Sequence, residues 1–470
     1  MRLRVLWGLF FALSGCVQPP LTEASKRRPG VLPGTAPVTP TSSAETEVDV
    51  EVVAVCSDTD NPLRQLCEVS LSEALPLVFR YGADVEDRVL TFEPATVHVF
   101  TVTGLMPETE FSYTAEAGGS SASGAFRSGE VVGLPGIEVT GSATFDYVLF
   151  AHDDAVIIAA TTGEVVWFEV FDEEGPGPQK GRITGTTWVE DGVGLGIASS
   201  LYEVGLDGTR RFASYRGEGH DLPLHHDVFI RDGLRYVVNA QQYTYGDHDF
   251  VIDGFYVFDD GGVVGEWHLA DHLESDPVWT GNNLGFWSDE WPGAEDYAHA
   301  NAVFATEDGT ILFSARRLNR VYAIAGVHMG NFGEILWTLD GQVGGDFQIM
   351  GSPDGLNDVD GQHHPQLDGD QLTLFDNREG VNARTVSMTL DLPGGTATID
   401  EVHTLHRRCT IQGSNFVLSS GNVVATCGST KEIFEYEGGV DEDPLWSMAI
   451  DATVLEVARG IPITDPPPGW

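Results

Sequence analysis

The stretch GTILFSARRLNRVYAI, residues 309–324, followed closely by GEILWTLDG, residues 333–341, contains the pattern that decides the fold. Apolar and polar residues alternate in short runs, and turns rich in Gly, Asp and Asn separate the runs, which is typical of antiparallel β-strands. Comparable clusters lie at residues 146–171, 192–215, 226–269, 299–339, 363–402 and 413–450. Six such units predict an all-β protein in which residues 130–470 form a six-bladed β-propeller.

The composition favours an exported β-rich protein over one that binds nucleic acid. The 470 residues include 55 glycines and 42% hydrophobic side chains, enough for a sizeable core, and long stretches of helical periodicity are absent. The formal net charge is −46. Because phosphate binding needs clustered Lys and Arg, this charge excludes nucleic acid as the natural partner. Such a charge is typical of a solvated, extracytoplasmic surface.

The N-terminus has the features of a bacterial lipoprotein. Two arginines precede an apolar run that is too short to span a bilayer but suits a signal peptide, so residues 1–15 are predicted to be removed on export. The run ends in LSGC, residues 13–16, which resembles a lipobox and makes Cys16 the predicted site of lipid attachment. Residues 16–47, rich in Pro, Ser and Thr, predict a flexible tether. We therefore expect a membrane-anchored protein in the periplasm, at the outer membrane or on the cell surface.

Four cysteines remain if Cys16 carries the lipid, and they form two pairs that are close in sequence. These four are Cys56, Cys67, Cys409 and Cys427. In an oxidising compartment such pairs predict disulfides, although the sequence leaves their connectivity open. A zinc site is the competing interpretation, but no CxxC spacing supports it.

A separate small domain is predicted over residues 48–129. In VHVFTVTGLMPETEFSYTAEAGG, residues 97–119, two alternating strands flank a Gly-Leu-Met-Pro crossover. This stretch resembles a fibronectin type III sandwich near its tyrosine corner, with Phe111 at the position of the corner tyrosine and Tyr113 two residues later. The domain contains no catalytic constellation, so we interpret it as a spacer or as a module for homodimerisation.

Histidines occur at the same place in three of the predicted blades. They precede the first apolar run of LPLHHDVFIRDGLRYVVNA (222–240), DYAHANAVFATEDGTILFSARR (296–317) and GQHHPQLDGDQLTLFDN (361–377). In a propeller, loops from every blade converge over the central channel. We therefore expect these histidines to meet in one site although they are far apart in sequence.

The order of these motifs resembles the PAPS-independent arylsulfate sulfotransferase family. The motifs are HHD at 225–227, HAN at 299–301, SAR at 314–316, QHHPQ at 362–366 and FDN at 375–377. The resemblance implies a small N-terminal β-sandwich followed by a six-bladed propeller, acting outside the cytoplasm. It also implies transfer of a sulfuryl group from an aryl sulfate donor to a phenol acceptor, with no nucleotide, metal or other cofactor.

The resemblance further implies roles for individual residues. The nucleophile of the family is the histidine that follows Gln in the QH motif, which is His363 here, and the arginine of the family is Arg316. The supporting histidines fall on His226 and His299. Further candidates for the site are His225, His364 and Asn301.

The chemistry of these side chains suits sulfuryl transfer. A neutral imidazole is a competent nucleophile near pH 7 because its ordinary pKa is about 6.5, so attack by His363 on sulfur gives an N-sulfohistidine. The guanidinium fork of Arg316 suits the non-bridging sulfate oxygens, and the supporting histidines can hydrogen-bond those oxygens or protonate the departing phenolate. The chain departs from the usual QHD and FDNG motifs, because His364 and Arg378 replace Asp and Gly. A basic mouth that attracts the anionic donor is predicted from Arg316, Arg317, Arg320, Arg378 and Arg384.

Two other functions remain open from the residues alone. One is a tethered propeller that binds a ligand or protein without catalysis, since fold does not dictate function. The other is a metal-dependent hydrolase that uses the histidines as ligands. SPDGLNDVDG, residues 352–361, lacks the glutamate of an EF-hand and is interpreted as a turn-rich loop. An aromatic insert either lines an acceptor pocket or packs on the propeller, and it contains Trp279, Phe286, Trp287, Trp291 and Tyr297.

Overall fold

The structure is a computed structural model in which the described part of the chain begins at Val50. It describes residues 50–85, 87–171, 182–197, 199–281, 285–342, 345–378, 380–439, 443–451, 457, 459–467 and 470. The predicted signal peptide, the lipid site at Cys16 and the tether lie outside the described residues and stay predictions. Among the described residues, no helix has the length and apolar character needed to cross a membrane.

The N-terminal domain is one antiparallel sheet whose second strand is long enough to pair with three others. Its strands are β1 Val52–Asp58, β2 Gln65–Gly82, β3 Arg88–Val102, β4 Glu110–Ala117 and β5 Ser120–Arg127. One edge of β2 pairs with β3, and the other edge pairs with β1 in its first half and with β4 in its second half. Pairing the two ends of β2 with different strands lets the sheet enclose its own apolar core.

Side-chain contacts within this core join both neighbouring strands and strands that are not paired in the sheet. The Tyr113 hydroxyl on β4 donates to the carbonyl of Ala54 on β1 at 3.1 Å, while Phe111 is buried against Phe126. Cys56 and Cys67 face each other in the β1–β2 register and form a disulfide, as predicted. The likeness to fibronectin type III and the dimerisation role stay predictions.

Six antiparallel sheets follow within the described residues, and they form the blades of the predicted β-propeller. The first group of strands is β6 Gly136–Gly141, β7 Tyr147–His152, β8 Ala155–Ala160 and β9 Val165–Val170. The second group is β10 Ile183–Val189, β11 Gly192–Ile197, β12 Ser200–Gly205 and β13 Arg210–Ser214. The third group is β14 Leu224–Arg231, β15 Leu234–Tyr245, β16 His248–Asp259, β17 Gly262–His268 and β18 Glu295–Asp296. A 3₁₀ turn at Leu269–His272 follows β17.

The remaining blades come from the C-terminal half of the chain. The fourth group of strands is β19 Ala300–Ala305, β20 Thr310–Ala315, β21 Arg320–Ala325 and β22 Ile335–Asp340. The fifth group is β23 Gln348–Met350, β24 His363–Asp368, β25 Gln371–Asp376, β26 Arg384–Asp391 and β27 Thr396–Thr404. The last strands are β28 Ser414–Val417, β29 Val423–Cys427, β30 Glu432–Tyr436, β31 Trp446–Asp451 and β32 Gly460–Ile463. A second 3₁₀ turn, Arg316–Leu318, links β20 to β21.

Strands from both ends of the propeller sequence close the ring. In blade 1 the C-terminal strand β32 is added to the inner side of β7–β8–β9, and in blade 6 the early strand β6 is added to the outer side of β28–β31. Blades 2 to 5 are β10–β13, β14–β17, β19–β22 and β24–β27, with β18 and β23 as additions to blades 3 and 5. The innermost strands β10, β14, β19, β24, β28 and β32 contact one another in succession, so their first residues surround one axis.

Each interface between neighbouring blades has its own apolar core. Between blades 3 and 4, for example, the rings of Phe255 and Phe313 pack with centroids 6.0 Å apart. Other buried clusters join blades 1 and 2, 2 and 3, 4 and 5, 5 and 6, and 6 and 1. Because burial on this scale is the main stabilising contribution, the ring is a rigid frame for the loops at its axis.

Candidate functional site

The innermost strands of blades 3, 4 and 5 begin with an irregularity that aims side chains at the axis. Strand pairing shifts register between Leu224 and Val228, between Ala300 and Ala302, and between His363 and Gln366. At each shift one histidine has left-handed backbone, and these are His226 (φ 58°), His299 (φ 48°) and His364 (φ 49°). Residues other than glycine avoid this region, and such conformations cluster at functional sites.

Four of the predicted residues come together at the axis. The imidazoles of His226 and His299 pack edge to face, with ring centroids 4.8 Å apart. His299, Arg316 and His363 are all close enough to His226 to lower its pKa electrostatically. The histidines of three blades thus share one site with Arg316, as the sequence predicted.

His363 is held in one tautomer by Asn377. The Asn377 amide nitrogen donates to the carbonyls of Cys409 and Gln412, both at 2.8 Å, so the amide oxygen must face the other way. That oxygen lies 2.6 Å from Nδ1 of His363, and the Gly361 carbonyl lies 3.1 Å from the same nitrogen. Two acceptors at Nδ1 require a proton there. The lone pair of His363 is therefore on Nε2, the atom that can act as a nucleophile.

The surroundings of His363 also keep its imidazole neutral. Burial lowers the pKa of His363 well below its ordinary value, and the positive charge of Arg316 lowers it further. The imidazole is therefore unprotonated at neutral pH and keeps its lone pair.

The disulfide between Cys409 and Cys427 supports this arrangement. Its formation confirms the predicted pairing, and Cys409 is the residue whose carbonyl holds Asn377. The covalent bond therefore restrains the loop that positions the acceptor of His363.

His299 is paired with a buried carboxylate. Its Nδ1 lies 2.5 Å from Oδ2 of Asp296, three residues earlier, and Asp296 is almost completely buried. Burial by itself raises the pKa of a carboxyl group, but His299 and Arg317 hold the pKa of Asp296 below its usual value. Asp296 is therefore ionised and accepts from Nδ1 of His299, which leaves Nε2 as the ring nitrogen that can exchange a proton in the site.

His226 contacts a second histidine, His225, which in turn lies close to a second buried carboxylate. Nδ1 of His226 and Nδ1 of His225 are 2.6 Å apart, and Nε2 of His225 lies 3.2 Å from Oδ1 of Asp253. Burial lowers the pKa of His226 well below its usual range, and the neighbouring His299 adds to this effect. His226 is thus a neutral imidazole whose orientation comes from His225, a residue that supports the site from behind.

The other two candidates from the sequence have structural contacts. His364 places Nδ1 2.9 Å from the carbonyl of Asn415, and its ring packs on Phe416 of blade 6. Asn301 donates from its amide nitrogen to the carbonyl of Gln362 at 2.8 Å, which joins blades 4 and 5. Neither contact directs the side chain at the nucleophile.

A cavity of about 530 Å³ opens at the two residues that accept from Nδ1 of His363, although the buried His363 ring does not itself line it. Its lining includes Asn377 and Gly361, and four arginines contribute to it, namely Arg316, Arg317, Arg378 and Arg408. Two arginines of the predicted basic mouth are instead part of blade structure. Arg320 pairs with Asp340 at 2.9 Å, and Arg384 is buried and pairs with Asp376 at 2.8 Å. Three of the five arginines grouped from the sequence therefore line the cavity, Arg316 among them, and Arg408 is an addition.

The acidic stretch at residues 352–361 is a turn-rich loop, as interpreted from the sequence. It is bound by Arg384, which pairs with Asp354 at 2.6 Å and donates to the carbonyl of Asp358 at 2.5 Å. The guanidinium of Arg384 thus neutralises part of the acidic charge of this loop.

The aromatic insert mostly packs on the propeller. Trp279 stacks on His248, and Trp287 is buried against Trp291. Phe286 is different, because it is half-buried and its ring centroid lies 4.9 Å from that of His226 and 5.3 Å from that of His299. It supplies an aromatic wall directly at the site.

The sequence assigned no catalytic role to four residues that complete the site. Asn377 was visible only as the end of the FDN motif, Asp296 only as the residue three before His299, and Phe286 only as one member of the aromatic insert. Asp253 carries no motif at all. Their roles depend on which strands and loops meet at the axis, which an isolated sequence does not show.

Among the described residues, no three His, Cys, Asp or Glu side chains are grouped as a metal ion would require. The Nδ1 atoms of the site histidines are already engaged, that of His226 with His225, that of His299 with Asp296 and that of His363 with Asn377. An engaged Nδ1 leaves Nε2 as the second ring nitrogen of each of these histidines.

Solved structures similar to this chain are distant. A protein of unknown function from Bacteroides caccae matches with TM-score 0.44 and 11% identity, covering 68% of this chain and 100% of its own. The inactive H270A virginiamycin B lyase from Staphylococcus aureus with quinupristin matches with TM-score 0.37 and 10% identity, covering 70% and 99%. The periplasmic gluconolactonase of Pseudomonas aeruginosa matches with TM-score 0.34 and 10% identity, covering 84% and 97%. No curated protein matches the sequence.

A family model agrees with the residues of the site. Residues 198–442, more than half of the 470, match the model described as arylsulfotransferase (ASST). His226, His299, Arg316, His363 and Asn377 all lie within the matched range. The propeller, the histidine site at its axis and this match lead to one conclusion: the chain belongs to the arylsulfotransferase family.

Proposed function

We propose that this protein moves a sulfuryl group from an aryl sulfate to a phenol through a sulfohistidine at His363. The observation that supports this proposal best is the fixed tautomer of His363. Asn377 holds a proton on Nδ1, which leaves the lone pair on Nε2, and the Arg316 guanidinium is near enough to act electrostatically on the ring. A nucleophile next to a permanent cation suits attack on an anionic sulfate ester, because the cation offsets the repulsion by the sulfate oxygens.

In the first half-reaction the Nε2 lone pair of His363 attacks sulfur. The S–N bond forms as the S–O bond to the aryl group breaks, and the bonding electrons leave with the aryl oxygen. In this scheme His299, oriented by the contact of its Nδ1 with Asp296, is the general acid that gives an Nε2 proton to that oxygen and releases a phenol. Arg316 donates to the non-bridging oxygens, whose charge distribution changes most in the transition state.

The second half-reaction reverses these steps with a different phenol. His299, now neutral, takes the hydroxyl proton of the acceptor, and the acceptor oxygen attacks sulfur. The S–N bond breaks and its electrons return to Nε2 of His363, which restores the free enzyme. Phe286 is placed to pack on the aryl ring of donor and acceptor in turn, with offset or edge-to-face geometry.

Steady-state kinetics with a chromogenic donor test this scheme. With 4-nitrophenyl sulfate as donor and varied phenol as acceptor, we expect parallel double-reciprocal lines, because donor product leaves before acceptor binds. Release of 4-nitrophenol should depend on the acceptor. Intersecting lines would contradict a covalent intermediate. A folded protein that releases no product from a broad panel of donors would favour the non-catalytic binding propeller.

The pH dependence of donor turnover gives a second test. Burial and Arg316 lower the pKa of His363 in the folded protein, so protons compete for Nε2 only at pH values below the ordinary value of about 6.5. We therefore expect kcat/KM for the donor to stay constant as the pH falls through 6.5 and to decline only below it. The measurement is kcat/KM from pH 4.5 to 8, with circular dichroism at each pH to exclude unfolding. A decline with its midpoint at 6.5 or above would show that the nucleophile has an ordinary pKa.

A further inference from the structure

The cavity beside His363 carries a charge opposite to that of the whole chain. The formal net charge is −46, yet the cavity lining includes four arginines and one acidic residue, Asp360. Charges on the distant surface are screened within about 8 Å at physiological ionic strength, whereas charges that line a cavity are screened much less. An anion inside the cavity therefore experiences mainly Arg316, Arg378 and Arg408, because Arg317 also acts on the ionised Asp296.

Arg378 has a backbone conformation that is unfavourable for residues other than glycine. Its φ is 54°, in the left-handed region that favours glycine. Its amide donates to the Asp360 carbonyl at 2.9 Å, and its side chain is mostly buried, at 16% exposure. The guanidinium of Arg378 lies 3.8 Å from a carboxylate oxygen of Asp358, which is close to the limit of an ion pair. A strained residue with a buried cation on a cavity wall indicates a binding role.

One sulfuryl group does not need all of this charge. Arg316 is the cavity arginine that acts electrostatically on both His363 and His226, so it is placed to hold the transferred group. Arg378 follows β25, and Arg408 lies between β27 and β28, so both belong to the loops of blades 5 and 6. A cavity of about 530 Å³ is large enough for a substituted aromatic ring as well as the sulfuryl group.

We propose that Arg378 and Arg408 form a second anion subsite, which selects aryl sulfate donors that bear an additional anionic group such as a carboxylate. This inference rests on the proposed function and adds the class of donor to it. A guanidinium binds a carboxylate through two parallel hydrogen bonds and rejects a neutral group in the same place. The sulfuryl group then lies between Arg316 and His363, and the second anion lies toward blades 5 and 6.

Two matched donors test the subsite directly. They are 2-carboxy-4-nitrophenyl sulfate and its methyl ester, which differ in charge and release chromogenic phenols. For the wild type we expect a KM for the acid about tenfold below that for the ester, the effect of one charge-assisted interaction. Arg378→Gly should raise the KM of the acid about tenfold and leave the ester unchanged. Glycine suits the left-handed backbone, so this variant should fold with an equal or higher Tm.

Neighbouring arginines supply the controls. Arg408→Gln should act like Arg378→Gly, whereas Arg407→Gln should change neither donor, because Arg407 is exposed and pairs with Glu432 on the surface. Equal KM values for acid and ester in the wild type would overturn the subsite. So would an Arg378→Gly variant that affects both donors equally.

A binding measurement separates failure of the subsite from failure of the proposed function. If neither donor reacts, the transferase proposal fails, and titration calorimetry with 4-sulfobenzoate, an unreactive dianion, still tests the subsite. Binding at one site that is weakened in Arg378→Gly would support it. Absence of binding, or equal binding to both proteins, would overturn it.

Discussion

His363→Ala is expected to lower sulfuryl transfer by at least about 10⁴-fold, because removal of a covalent nucleophile is among the most damaging changes an active site can receive. The remaining groups can still bind donor, but His226, the other neutral imidazole on which Arg316 acts, is oriented by His225 and lacks the Asn377 contact that fixes the tautomer of His363. The measurement is acceptor-dependent release of 4-nitrophenol from 4-nitrophenyl sulfate. Circular dichroism and Tm should show that the variant is folded.

The intermediate gives a direct readout of the same prediction. Wild-type protein incubated with donor and no acceptor should gain the mass of one SO₃ on the peptide that contains His363, and His363→Ala should not. Added phenol should remove the modification. A variant that keeps activity within tenfold of the wild type, or a modification on another peptide, would assign the nucleophile elsewhere.

Asn377→Leu is the matched comparison for His363. It keeps the histidine but removes the acceptor at 2.6 Å that holds the proton on Nδ1, so part of the population carries the proton on Nε2 or turns away from sulfur. We expect an intermediate loss of about 10²-fold in kcat, typical of a displaced catalytic group. Modification of His363 by donor should become slower but still occur, which separates a positioning residue from the nucleophile.

Arg316→Gln is expected to lower kcat/KM for the donor by about 10²–10³-fold, the usual effect of removing one group that stabilises transition-state charge. Glutamine retains a donor but loses the charge and the fork. Arg316→Lys should recover part of the loss, because it restores the charge without the fork. The matched control is Arg320→Gln, since Arg320 lies four residues away and pairs with Asp340 outside the cavity.

The pH profile distinguishes this role from simple structural damage. Arg316 is one of the groups that lower the pKa of His363, so its removal should move the acidic limb of kcat/KM to higher pH. Structural damage to the site would lower kcat/KM without moving its acidic limb to higher pH. A small loss with an unchanged limb would contradict the assignment of Arg316 to the sulfuryl group.

The fold was predictable because its determinants are local. Blades 2 to 5 are each built mainly from consecutive hairpins whose apolar and polar alternation and Gly or Asp turns are close in sequence, as in residues 309–341. The histidines were predictable for a related reason, because each lies near the start of the innermost strand of its blade. His226, His299 and His363 therefore met at the axis as expected, and the two disulfides formed between the cysteines nearest in sequence.

The contacts that tune the site were not predictable in this way. The contact between His225 and Asp253 joins β14 to β16. The amide of Asn377 is oriented by two carbonyls that lie 32 and 35 residues further along the chain. Five arginines were grouped by sequence position, yet Arg320 and Arg384 pair within their blades while Arg408 joins the cavity from another loop. Sequence proximity does not show which way a side chain points.

By itself, the sequence predicted the β-rich class, the propeller and export with a lipid on Cys16, and these predictions follow from periodicity, composition and short motifs, which act over neighbouring residues. The proposal that the histidines and Arg316 are the reactive residues came from the resemblance of those motifs to the arylsulfate sulfotransferase family. Only the tertiary structure decided the tautomer of His363, the carboxylate partner of His299, the aromatic wall of Phe286 and the arginines that line the cavity. The physical reason is that these properties depend on burial and on atoms a few ångströms apart in space, contributed by blades and loops that the chain brings together only when the ring closes.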